Sequence, residues 1–93
     1  CEAVAALVID VPAAKQLPNV KQWSSAQPEA AEADFVNIVM GLPPSDARAA
    51  QALGVIQAHF TSAAATKGIT PTEALMSTFT LACLAPSAVS IGL

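Results

Sequence analysis

Few side chains in this sequence can do covalent or metal chemistry: Cys1, Cys83 and the single histidine, His59. A zinc centre takes four ligands, usually at short spacings such as C-x-x-C or H-x-x-x-H. One His and two Cys without such spacing would need a distant carboxylate as fourth ligand, so no metal site is expected. A haem held by His59 with Met40 or Met76 would need an aromatic-lined pocket, and covalent attachment would need C-x-x-C-H. Aromatic residues make up only 4% of the chain, and the attachment motif is missing. A nucleophile would be a serine or cysteine beside His59 with an acid to orient the ring. No serine lies in a Gly-x-Ser-x-Gly turn, which leaves only Cys83 with His59. Glu29 and Glu32 share a helical turn, but a helix N-terminus lowers carboxyl pKa values, which suits capping rather than general-acid work. The four glycines are isolated and form no phosphate loop. The expectation is a protein that is not an enzyme, with no cofactor and no metal.

The two cysteines admit three readings. In the first they form a disulfide, because two cysteines without metal-ligand spacing in a small domain favour an oxidising compartment. Such a bridge closes nearly the whole chain, and loop entropy assigns it about 4 to 5 kcal/mol. In the second, Cys1 is an acylated lipoprotein residue, and its sulfur is then unavailable to Cys83. Membrane attachment is expected only in that case. In the third both thiols are free and Cys83 is a small apolar core residue. The bridge is the reading adopted, and it implies an extracytoplasmic location, periplasmic or secreted.

Composition narrows the function classes. The chain is 54% apolar and 12% charged, which resembles a membrane protein until alanine is set aside. Twenty-one of its residues are alanine, and the larger apolar residues are an ordinary core supply. The stretch from Ala74 to Leu93 is uncharged, but Ser77, Thr78, Thr80, Ser87, Ser90 and Pro86 make it a poor membrane span. The net charge of −3 and four scattered basic residues, Lys15, Lys21, Arg48 and Lys67, argue against nucleic acid. Between Gln22 and Ala47 the charge is wholly negative, carried by Glu29, Glu32, Asp34 and Asp46.

The elements that must position these groups read as helices in one domain, residues 1–93. Thr70-Pro71-Thr72-Glu73 is a capping box with proline in the first turn, so a helix begins at Pro71. It gathers Leu75, Met76, Phe79, Ala82 and Cys83 on one face, with Leu81 as an exception. A longer helix is expected from about Ser45, as cap, to Thr66, with Lys67-Gly68 closing it. Its stripe is Ala49, Leu53, Ile56, Phe60 and Ala63, flanked by Ala52, Val55 and His59. A third helix is expected from Pro28 to Met40, with Ala31, Phe35, Ile38, Val39 and Leu42 in the core. Pro12 and Pro18 divide the first 27 residues into two short helices, Glu2 to Val11 and Ala13 to Leu17, with Val20 and Trp23 pinning the lead-in. The fold class is therefore all-α, a small bundle of about four helices tied by one disulfide, with an apolar tail over 85–93.

The leading functional expectation is a small exported helical protein that recognises another protein or itself, as an accessory factor, an inhibitor or immunity protein, or an assembly subunit. Its candidate partner-binding residues are Trp23, Glu29, Glu32, Asp34 and Asp46. The alternative is a carrier of a lipid or other apolar ligand between helices, with Phe35, Met40, Phe60, Met76 and Phe79 as cavity walls.

Overall fold

The computed structural model describes residues 1–85. It contains four α-helices, α1 (Glu2–Val8), α2 (Pro28–Asp34), α3 (Ala47–Ala64) and α4 (Pro71–Leu84), and no strand among the described residues. The expected all-α bundle is the observed architecture. The tail expected beyond Ala85 lies outside the described residues.

The central element is α4, against which α1, α3 and the segment following α2 all pack. Its start is fixed as the sequence predicts. The Thr70 hydroxyl accepts from the Glu73 amide at 3.1 Å, the Glu73 carboxylate accepts from the Thr70 amide at 3.0 Å, and Pro71 occupies the first turn. Ala74, Leu75, Phe79 and Ala82 are buried, as is Thr78, whose hydroxyl donates back to the Ala74 carbonyl at 2.8 Å. That local bond lets a polar residue sit in the core without an unmet donor. Half-buried Cys83, near the end of α4, is disulfide-bonded to Cys1, with Cα atoms 6.0 Å apart across 82 residues of sequence. The bridge excludes a lipid on the Cys1 sulfur, and among the described residues no cysteine is free.

Helix α3 begins later than expected. Residues 43 to 46 form a turn closed by the Asp46 amide on the Pro43 carbonyl at 2.8 Å. The cap is therefore Asp46, not Ser45, and its carboxylate accepts from the Arg48 amide at 2.8 Å. The stripe is as read, with Ala49 and Ile56 buried and Leu53, Phe60 and Ala63 half-buried. The helix ends at Ala64, and the chain turns at Gly68, where φ is +86° and glycine is the residue that takes it without strain.

The expected helix from Pro28 to Met40 is two structures. After α2, residues Phe35–Val39 form a π turn in which the Met40 amide donates to the Phe35 carbonyl at 2.8 Å. The wider turn takes in an extra residue and shifts the pattern that follows it. Val36, which a continuous α-helix would turn away from the stripe, is buried at 2% exposure, while Ile38, expected in the core, is 57% exposed. Ala31, Phe35 and Leu42 are buried as expected, and Val39 is half-buried.

In the lead-in, α1 places Ala5 and Val8 in the core and stops at Val8 instead of Val11. The second short helix is only a 3-10 turn, Ala13–Lys15. The chain reverses at Asp10, φ +54°, and a lone parallel bridge joins Ile9 to Trp23. In it the Trp23 amide donates to Val8 at 2.8 Å and the Asp10 amide to Trp23 at 3.0 Å. Trp23 pins the lead-in, but Val20 is exposed.

Candidate functional site

The five residues expected to meet a partner are not one open acidic surface. Trp23 sits against the core, its ring 5.2 Å from Phe35 and 5.9 Å from Phe79, and its indole N–H donates to Asp34 at 2.9 Å. Asp34 also faces Lys21 at 3.5 Å. Asp46 caps α3 and pairs with Arg48 at 2.9 Å. Hydrogen bonds from the Arg48 side chain and then its backbone amide hold the Asp46 carboxyl down to about 2. Glu32 is buried, 4% exposed, and burial, reinforced by Glu29, pushes its carboxyl above the usual range. Of the five, Glu29 alone is exposed and without a hydrogen bond or ion pair to another side chain among the described residues. Acidic residues that sequence reasoning grouped by sign are thus placed by separate local tasks.

The residues expected to wall a cavity are likewise divided. Phe35 and Phe79 are buried and meet edge to face, centroids 5.5 Å apart, in the cluster with Trp23. Such packing fills space and leaves no room for a ligand between the rings. Met76 lines a groove between α1 and α4 with Glu2, Ala5, Glu73, Ser77 and Thr80. Met40 lines a different one, between α3 and α4, and Phe60 is half-buried beside the core.

His59 reaches across from α3 to α4, its Nε2 2.8 Å from the Ser77 hydroxyl. The described residues offer this pair no carboxylate to orient the ring, and Cys83 is occupied by its disulfide. The described residues also include no group of three or more His, Cys, Asp or Glu side chains able to hold a metal. No described helix is long and apolar enough to cross a membrane.

A largely apolar concavity lies where α3, α4 and the end of the π turn meet. Ile56 and Ala52 lie on the α3 side with Val55, Leu81, Leu84 and Ala85 on the α4 side, and Met40 completes a groove of about 350 Å³. Leu84 is 64% and Val55 58% exposed. No charged residue occurs on α3 from Ala49 onward, or on α4 after Glu73, so the rim is neutral as well. The sequence carried a signal for this place: Leu81 breaks the one-sided pattern of α4, and Val55 flanks the stripe of α3. Each is a large apolar residue on the side its own helix does not bury, and the packing of α3 on α4 brings them to one groove.

No protein-family model, curated protein or solved structure matches the chain.

Proposed function

We propose that the protein is an exported, non-enzymatic helical module that acts by binding another protein, whose apolar side chains enter the α3–α4 groove. The observation that carries this reading is the groove itself: Val55 and Leu84 stand open beside a concavity without a charged lining residue. A neutral apolar depression with exposed large side chains is the anatomy of an interface centre. The aromatic cluster supports this reading over the apolar carrier, because Phe35 and Phe79, two of the three phenylalanines that would wall a cavity, fill the core. The disulfide supports export, since such bonds persist in oxidising compartments.

The test is site-specific photo-crosslinking in cells of its own source, with the probe at Val55 and a control probe at Gln51 on the same helix. One heterologous partner captured in stoichiometric amount from Val55 alone, and lost when Leu84→Asp is added, is the expected result. Crosslinks that are absent, or that persist unchanged with Leu84→Asp, refute it. A single charge buried in such a centre should weaken binding by about 2 kcal/mol or more.

A further inference from the structure

The apolar tail read from the sequence over 85–93 starts inside the α3–α4 groove. Ala85, its first residue, is one of the residues lining that groove and the last of the described ones. Eight residues follow it, Pro86-Ser87-Ala88-Val89-Ser90-Ile91-Gly92-Leu93, and none is charged. Helix α4 closes before them. The Ala85 amide donates to the Ala82 carbonyl at 3.2 Å, Ala85 itself is extended at φ −64° and ψ 145°, and a proline comes next, which stops a helix from running on.

Beyond the proline the sequence alternates. Val89, Ile91 and Leu93 are large and apolar, and Ser90 and Gly92 between them are small. In an extended chain every second side chain falls on the same edge, so this spacing makes one edge of three aliphatic groups. The groove has the matching chemistry, since Met40, Val55, Ile56, Leu81 and Leu84 line it without a charged neighbour. Reach is sufficient: eight extended residues span up to about 26 Å, and Ala52 to Ile56 covers only about 6 Å of α3. A segment tethered at the edge of its own binding site has an effective concentration on the order of millimolar. A second copy of the chain in dilute solution cannot match that, which favours the tail as occupant.

We propose that residues 86–93 of the same chain occupy the α3–α4 groove in the isolated protein, and that a partner binds by displacing them. Displacement rests on the groove being the partner site, as proposed above; occupancy by the tail does not.

Occupancy is tested by NMR on the oxidised full chain with labelled Ile, Leu and Val methyl groups. Nuclear Overhauser contacts from Val89, Ile91 or Leu93 to Val55, Leu81 or Leu84 are expected, unchanged on dilution. Ile91→Asp should abolish them and shift the Val55 and Leu81 methyl resonances. Ser90→Asp, which puts the same charge on the other edge, should leave them in place. Absence of the contacts, their loss on dilution as for a second copy, or an equal response to the two substitutions overturns the proposal. Displacement is tested by repeating the photo-crosslinking from Val55 in the Ile91→Asp chain, where capture of the partner should rise about threefold or more as the groove is released. Unchanged capture overturns displacement. The two readings fail separately: missing methyl contacts remove the tail and leave the partner site, whereas capture absent from both parent and Ile91→Asp removes the partner site and displacement with it.

Discussion

Carboxylates in this protein are set apart by their immediate neighbours. Partial burial works against the charge on Asp10, yet hydrogen bonds from Ser25 and Thr72 outweigh it and hold the carboxyl below its usual value. Those same bonds tie the end of α1 to residue 25 and to the first turn of α4. Asp46 is lowered further, and carboxyl-carbon NMR should find its midpoint near 2. An ordinary aspartate midpoint there would mean that the Arg48 contact does not persist in solution. Glu32 goes the other way. Its folded pKa lies above the ordinary 4.5, so the folded protein holds this proton more tightly than the unfolded chain does. The associated stability is present below the unfolded value and is lost as pH rises through the folded one. Glu32→Gln removes that loss: its urea midpoint should match the parent well below pH 4.5 and exceed it at neutral pH. A difference independent of pH would assign the effect to packing instead of charge.

Helices were legible in the sequence wherever one local signal decided them. The Thr70 box marks the start of α4, and the Ala49, Leu53, Ile56, Phe60 period gives the buried side of α3. Ser45 and Asp46 are both good caps, and only the turn closing on Pro43 selects the second. The π turn had no local signal, since Phe35-Val36-Asn37-Ile38-Val39 keeps an acceptable helical period. It is the packing of this segment against both α3 and α4 that accompanies the change of register. A paired substitution tests it. Val36→Ala should cost about 2 kcal/mol and Ile38→Ala less than about 0.5 kcal/mol. A continuous helix in solution would reverse that order. The groove was legible only in pieces, because Val55 and Leu81 belong to different helices and their meeting depends on how α3 lies against α4. The acidic residues show the converse: one sign along the sequence does not make one surface.

At the scale of the whole molecule, the Cys1–Cys83 bond joins the start of α1 to the end of α4 across 82 residues. Reduction should lower stability by about 4 kcal/mol, from the entropy of so large a loop. That is a large share of the 5 to 15 kcal/mol typical of small domains. Urea unfolding with and without a thiol reductant measures it, and a shift below about 1 kcal/mol would contradict the loop argument. Reduction should act first at α1, since seven residues are too few to hold a helix without tertiary support. The same bond also orders events in time. Cys83 lies near the end of α4, and Cys1 precedes α1, so the pair cannot close until the intervening chain has been delivered to one compartment. Until then α1 has no α4 to pack on, and the aromatic cluster lacks Phe79. A chain that still lacks α4 is therefore open at α1, and oxidation can seal the domain only after the last turn of α4 has folded against the first helix.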